Sequence, residues 1–444
     1  MSPDYTGSSN NKVKLTTVLR TYRLLSSLAA PFAPLLLARR LKRGKENSER
    51  IAERRGNSRD VRPDGALIWL HAASVGELAS ALPLIERIVR HHVNVLVTSG
   101  TVTSSKLAGQ RLPPGVVHQF VPLDAPRFMR RFLDRWQPDL ALFVESDLWP
   151  NMMIETSRRG VPMILINGRL SEKSFRRWRM LPGTIANLLS RFDLCLARTP
   201  ADAERLSELG APRVVTSGNL KLDVPAPPAA ASKLKRLSDA IGDRPVIAAA
   251  STHTGEDAVV IETHARLRAN FPKLLTLIAP RHPERGQGIV EIAQGAGLKA
   301  ALRSRGELPN ADTDIYVADT MGELGLIYRL AEAVFIGGSL VRHGGQNPIE
   351  AAKLGAAILH GPHVWNFAEI YEALDNAHGA EPVADADRLT AGFAAMLNDP
   401  QTCAAVAKAA RATVDAQSGA LERTLQSLDP YLMHLMLRER GGHG

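Results

Sequence analysis

Residues 66–98 read ALIWLHAASVGELASALPLIERIVRHHVNVLVT, and their pattern decides the fold. Ala66–His71 is a short, nearly continuous apolar run, as expected of a strand covered on both faces. After a turn of small residues, Leu78–His91 places apolar side chains at helical spacing, and Val93–Thr98 is a second apolar run. Two buried strands joined by a helix make a parallel crossover unit.

Working outward, the alternation continues. Further strand candidates are Val116–Val121, Asp139–Glu145, Pro162–Asn167, Asp193–Ala197 and Arg213–Ser217, with helices such as Pro126–Trp136 and Ala201–Leu209 between them. They predict one doubly wound parallel domain over 63–223. Val224–Ser232 (VPAPPAAAS) reads as a Pro/Ala-rich linker. A second series follows at Val246–Ala250, Leu274–Ala279, Asp314–Val317, Ala333–Ile336 and Ala356–His360, giving a second domain over 233–428. Residues 429–444 remain as a terminal helix or tail, and the helices after Pro400 are candidates to pack back across the junction. At 444 residues, two domains are the expectation. Ligands of open parallel sheets bind at the carboxyl ends of the strands, so two such domains facing across a cleft are expected.

The net charge of +10 is concentrated at one end. Residues 1–62 hold 14 Lys/Arg against 5 Asp/Glu, whereas the remainder holds 41 against 40. A nucleic-acid-binding protein spreads its basic surface over the folded body, so no nucleic acid partner is expected. The basic residues instead flank Leu24–Ala38 (LLSSLAAPFAPLLLA), which Pro31 and Pro34 interrupt. That stretch is shorter than the roughly 20 residues that cross a bilayer. A secretory signal and a helix packed on its own domain are competing readings. Dense positive charge just after the stretch favours an anchor lying in an anionic leaflet. Cys195 and Cys403 cannot make a disulfide framework.

Candidate chemistry follows the strands. In His71-Ala-Ala-Ser-Val-Gly-Glu77, the Ser74-x-x-Glu77 spacing is a capping box, so Glu77 is either a helix cap or a carboxylate able to take a proton from a substrate hydroxyl. Glu145 and Asp147, in VESDLWPN (144–151), also follow a strand, and Asp147 has the capping alternative. Arg169 in NGRLS (167–171) precedes a basic run at Lys173, Arg176, Arg177 and Arg179, most of which reads as a solvated helix face. In the second domain, ASTHTGE (250–256), APRHP (279–283) and DTMGEL (319–324) follow successive strands and describe a phosphate pocket to which Arg281 adds charge. In IGGSLVRHGGQNPIE (336–350), Gly337 and Gly338 allow close backbone approach. Asn347, Pro348 and Glu350 there suit the first turn of a helix, and Glu350 also suits a pair of ribose hydroxyls. Neither GxGxxG nor GxxxxGK[ST] occurs, and His71, His253, His282 and His343 are too scattered to read as a metal site.

In this order, HAASVGE, ESDLWPN, INGRLS, GNLKLD, STHTGE, APRHPER, DTMGELG and GGSLVRHGGQNPIEAA resemble the Kdo (3-deoxy-D-manno-octulosonic acid) transferase family, from the anchor to about Leu428. The resemblance implies an α/β GT-B fold with two Rossmann-like domains and an N-terminal membrane-anchoring segment. It implies an inverting enzyme that moves Kdo from CMP-Kdo to a lipid A precursor, with no metal and no cofactor. By matching position it makes Glu77 the general base and assigns Ser74, Gly76, Glu145, Asp147 and Arg169 to the acceptor. Ser251, Pro280, Arg281, His282, Met321, Gly322, Gly338, Ser339, Asn347 and Glu350 fall to the donor. It implies attachment to the cytoplasmic leaflet of the inner membrane with the catalytic domains in the cytoplasm. Where the family more often has Glu-Thr-Glu, this chain has Glu145-Ser-Asp147, one methylene shorter in the second acid. The alternatives are a related enzyme with another nucleotide sugar, a nucleotide-sugar epimerase sharing the two-domain fold, and a non-catalytic binding protein.

Overall fold

The computed structural model describes residues 14–441. Residues 1–13 of the expected anchor segment and 442–444 of the expected tail lie outside the described residues. The chain divides into two compact units: one gathers everything up to Val224 with the stretch from Ser418 onward, the other is Pro225–Gln417.

The first unit is built on seven strands: β1 (Leu67–His71), β2 (Asn94–Ser99), β3 (Val117–Phe120), β4 (Leu140–Val144), β5 (Met163–Gly168), β6 (Leu194–Ala197) and β7 (Val214–Thr216). They pair in parallel in the order β3-β2-β1-β4-β5-β6-β7. Successive side chains alternate between faces, and here both faces are dry. Ile68 and Leu70 join Val95, Val97, Leu142 and Val144 in a core closed by the helix Val75–Val89. Leu67 and Trp69 join Leu96, Phe143 and Met163 in another, closed by the helices Pro126–Trp136, Pro150–Ser157 and Pro182–Leu189.

The second unit repeats this plan with β8 (Val246–Thr252), β9 (Leu275–Pro280), β10 (Ala300–Leu302), β11 (Ile315–Val317), β12 (Ala333–Ile336), β13 (Ala357–His360) and β14 (Ala380–Pro382). Its parallel order is β10-β11-β9-β8-β12-β13-β14. The sequence reading missed β10 and β14. Both are three-residue edge strands, AAL and AEP, without the β-branched residues that marked the equally short edge strand Val214–Thr216.

The carboxyl-terminal boundary also differs from expectation. The helix Ala420–Gly441 runs through the predicted break at residues 428/429 and belongs with the first unit. Its Leu425, Leu428, Leu432 and Leu435 enter the same core as the helix Val75–Val89. Pro430 lies inside it, and an internal proline costs about 3 kcal/mol. Four buried leucines at about 1.5–3 kcal/mol each outweigh that. Asp223 fixes the helix entry by accepting from the backbone N–H groups of Gly419 (2.7 Å) and Leu421 (2.5 Å).

The N-terminal segment is longer than its apolar stretch suggested. Helices Thr17–Ala29 and Ala33–Lys42 join through a 3-10 turn at Ala30–Phe32, and the 26-residue run is long and apolar enough to cross a membrane by length and composition. One face is docked on the first unit through buried Leu19, Ala30, Ala33 and Leu37. Polar ties reinforce it: Tyr22 donates to Asp124 (2.9 Å), Asn151 donates to Ser26 (3.0 Å), and Arg23 pairs with Glu155 at 2.5 Å. Glu155 is only 2% exposed and also meets Arg130 at 3.3 Å. Removing one partner from a buried pair strands the other charge. Glu155→Ala is therefore expected to lower unfolding free energy by about 3–5 kcal/mol in a urea titration. A loss below about 1 kcal/mol would mean that the Arg23–Glu155 pair adds little to the docking of the helix.

Candidate active site

A doubly wound sheet opens a crevice where neighbouring strands send their connections to opposite faces. In the first unit this occurs between β1 and β4, and in the second between β8 and β12. The sequence motifs fall on these two places: HAASVGE and VESDLWPN after β1 and β4, ASTHTGE and IGGSLVRHGG after β8 and β12.

After β1 the chain turns into the helix Val75–Val89, and Ser74 caps it by accepting from Glu77 N–H. The Glu77 carboxylate accepts from Ala73 N–H (2.7 Å) and from the Ser74 hydroxyl (3.0 Å). The cap is thus real, yet the group remains partly exposed. Burial raises the Glu77 carboxyl above its ordinary value, and the charge of Glu145 raises it further; Ser74, Ala73 and His71 oppose the shift. Such a carboxylate is a better proton acceptor than a solvated one.

Glu145 follows β4 in a left-handed conformation (φ 61°). Strain of this kind in a residue with a Cβ persists only where the surroundings enforce it. Lys221 Nζ meets its Oε1 at 2.7 Å as an ion pair, without the alignment of a hydrogen bond. The Lys221 loop is placed by Asn167, itself at φ 53°, whose Oδ1 accepts from Leu220 N–H at 3.1 Å. Asp147 meets His71 Nε2 at 3.2 Å. Burial pushes its carboxyl up, but hydrogen bonding and charge from His71, with Trp149, bring it below the usual range. His71 Nδ1 contacts Thr98 Oγ1 (2.8 Å), which also accepts from the Trp69 indole (2.9 Å). Gly76 is exposed in the first helical turn, and Arg169 is half-buried just past β5.

In the second unit Ser251 is also left-handed (φ 57°), at an irregularity in the β8–β9 pairing. Gly337 packs so closely that a Cβ there would lie 2.6 Å from Ser251 O. Glu256 organises the place. It is fully buried, and its carboxylate accepts from the N–H groups of His253 (2.8 Å), Gly338 (2.7 Å), Ser339 (3.0 Å) and Leu340 (3.0 Å). Pro280 is buried at the end of β9, while Arg281 and His282 are exposed just beyond it. Glu350 is raised by burial, against a hydrogen bond from Asn347 and the charge of Arg281, so Arg281 and Glu350 share one neighbourhood. Met321 is exposed beside Gly322, which has positive φ.

Some expectations change. The short helix after Asn347 spans Ile349–Lys353 with Pro348 just before it, and Asn347 Oδ1 accepts from Ile349 N–H at 3.0 Å, a capping bond at the helix start. Ser339 is fully buried; its hydroxyl donates to Ile336 O and accepts from Gly361 N–H, which spends it inside the fold. Within DTMGEL, Glu323 binds Arg303, Lys233 and Thr320, and Arg303 above all holds its carboxyl down to about 2. His71, Lys221 and Glu256 were not singled out as site residues, although each lies inside a quoted motif. Their partners are too distant along the chain for local spacing to reveal them.

Residues 49–224 match the sequence family described as 3-Deoxy-D-manno-octulosonic-acid transferase (kdotransferase). The chain is 35% identical to a 3-deoxy-D-manno-octulosonic acid transferase of Haemophilus influenzae, over 86% of this chain and 92% of that one. It is 36% identical to one of Bordetella pertussis, over 93% and 99% respectively. Among solved structures it is similar to UDP-GlcNAc 2-epimerase from Neisseria meningitidis at 13% identity (TM-score 0.55; 81% of this chain, 100% of that one). It is also similar to a glycosyltransferase from Rickettsia africae at 12% identity (TM-score 0.55; 84% and 99%). These two structures bear on the fold alone, and they agree with GT-B.

If Glu77 is the base, activity requires its ionised form and falls with pH on the acid side, along a limb lying above the ordinary 4.5. Glu145→Gln removes the like charge that disfavours ionisation, so the limb of kcat/KM should move to lower pH even as the maximum falls. An unmoved limb would show that Glu145 does not act on the titrating group.

Proposed function

The chain belongs to the Kdo transferase family and is a glycosyltransferase that moves Kdo; we propose that its donor is CMP-Kdo and its acceptor a hydroxyl of a lipid A precursor, at the cytoplasmic leaflet of the inner membrane. The observation that carries this reading is Glu77: a carboxylate oriented by two local donors, raised by burial and by Glu145, at the sheet's crevice. Its free lone pairs accept the proton of the acceptor hydroxyl. The oxygen then attacks the anomeric carbon of Kdo, the bond to the CMP phosphate oxygen breaks, and configuration inverts.

Glu145, Asp147 and Arg169 position the acceptor, with Ser74 and Gly76 shaping the turn. Lys221 keeps Glu145 in place, and His71 does the same for Asp147. Arg281, with Ser251 and Gly322, offsets charge on the departing phosphate. Asn347 and Glu350 hold the nucleotide, while Pro280, His282, Met321 and Gly338 border it.

Glu77 serves two purposes that one substitution separates. Glu77→Gln keeps a side-chain oxygen for Ala73 N–H but cannot take a proton. Stability should stay within about 1 kcal/mol of wild type. Transfer from CMP-Kdo to a tetraacyl disaccharide bisphosphate should fall about 10²- to 10⁴-fold. Unchanged transfer would leave Glu77 as a cap only. Transfer by wild type from another nucleotide sugar, with none from CMP-Kdo, would refute the donor.

Leaflet attachment is supported by the undocked face of the N-terminal helices, where Leu24 (61% exposed), Leu25, Leu28, Phe32, Leu35 (71% exposed) and Leu36 are uncovered. Arg39, Arg40 and Lys42 close that segment. The opposite face is tied to the protein through Tyr22, Arg23 and Ser26, which favours lying in the leaflet over crossing it. Leu24→Ser, Leu28→Ser and Leu35→Ser together should lower partition onto vesicles containing anionic lipid at least tenfold, at about 1.5–3 kcal/mol per fully buried leucine. Undiminished cosedimentation would exclude this face as the anchor.

A further inference from the structure

Three histidines scattered in the sequence meet in the second unit: His253 after β8, His282 after β9 and His343 after β12. The rings of His253 and His343 stack with centroids 4.2 Å apart and planes 18° apart. His282 meets His253 edge-on at 6.1 Å and 86°. The Gln346 amide nitrogen lies 3.0 Å from His253 Nε2, so the neutral ring accepts there, and a protonated ring would be met by the amide turned to offer its oxygen. His253 is half-buried, while His282 and His343 are exposed, so the cluster opens outward.

The surrounding charges are spent elsewhere. Glu256 lies beneath the cluster, but its oxygens are occupied by four backbone N–H groups. Arg285 is held by Asp257 and by Thr252 O. Glu284 lies 3.8 Å from His282 with both side chains exposed. Arg281 and Arg342, each next to one of the histidines in the chain, are exposed. Among the described residues no carboxylate is hydrogen-bonded to any of the three rings, and no group of His, Cys, Asp or Glu is arranged to hold a metal ion. Stacked imidazoles direct their in-plane lone pairs alongside each other, whereas a metal needs them to converge.

Three protonatable rings, faced only by the exposed Glu284 at 3.8 Å from His282 and by Glu256 beneath, whose oxygens are already taken up by backbone N–H groups, suit an anion brought by a ligand beside Arg281. The donor proposed above carries two: the phosphate, assigned to Arg281, and the carboxylate of its acidic sugar. We propose that His253, His282 and His343 form a subsite for that sugar carboxylate, and that occupying it takes up a proton onto the cluster. The inference rests on the donor reading and deepens it, since a neutral-sugar donor would leave the cluster without a partner. Burial holds His253 below its ordinary value, and the neighbouring charge of His343 adds to this, so without ligand the ring is neutral near pH 7. A carboxylate reverses the balance. A ring whose pKa rises on binding contributes affinity below the free-state pKa. That affinity is lost as pH climbs through the bound-state pKa, by up to about tenfold per pH unit for one proton.

The test is calorimetry of CMP and of CMP-Kdo binding to the full chain without acceptor. It is run at pH 7.5, in two buffers of different ionisation enthalpy, where a phosphate monoester with second pKa about 6 is already ionised. Wild type should take up about one proton with CMP-Kdo and markedly less with CMP. H253Q/H343Q should lose that uptake and about tenfold in CMP-Kdo affinity, with CMP affinity within about twofold. H343Q alone, at an exposed ring, should show the same direction if the double variant does not fold. Equal uptake in wild type and variant, or equal weakening toward both ligands, would overturn the subsite while leaving the donor reading intact. Failure of wild type to bind either ligand would overturn both.

Discussion

Every strand of both sheets runs parallel to its neighbours, and the location of the chemistry depends on that constraint. A parallel strand must be followed by a crossover, so its carboxyl end always opens into a loop, and all such loops gather along one edge. Where the connections change face, at β1/β4 and β8/β12, two loops diverge and leave room between them. Glu77 and Glu145 stand at the first of these places, Ser251, His253 and Gly338 at the second. Two of the residues that are left-handed without being glycine, Glu145 and Ser251, stand at these places.

Two carboxylates show how one local device takes different roles. Glu77 and Glu256 both stand at the start of the helix that follows a central strand, and both accept from a backbone N–H on the incoming turn. Opposite Glu77, the β4 loop supplies Glu145, a like charge that makes ionisation harder. Opposite Glu256, the β12 loop supplies three N–H groups, which fix the charge and bind the two loops together. The first stays partly exposed with its carboxyl raised, and the second is buried and structural, holding His253 and the His343 loop in register.

Much of this was legible in the residues. Long apolar runs located the central strands because a strand covered on both faces has no polar side to disguise it. Pro126 stood at the start of a predicted helix, where a first-turn proline sacrifices no hydrogen bond. The illegible features are those whose partners are remote in sequence. Ala300–Leu302 and Ala380–Pro382 are strands because a neighbour offers its edge, and Ala420–Gly441 joins the first unit because its leucines find that core open. Ser339 looked like a ligand contact but is consumed by Ile336 and Gly361.

The sequence by itself determined the alternation of strands and helices, the basic apolar N-terminal segment and the motifs that mark a Kdo transferase, because each is written in residues close together in the chain. Tertiary structure alone decided which carboxyl is raised by burial and a like charge, which histidines meet, and which face of the N-terminal helices stays uncovered. The physical reason is the same in each case. A charge, a lone pair or an apolar surface is defined by what it faces, and in this fold the facing group arrives from another strand, often dozens of residues away.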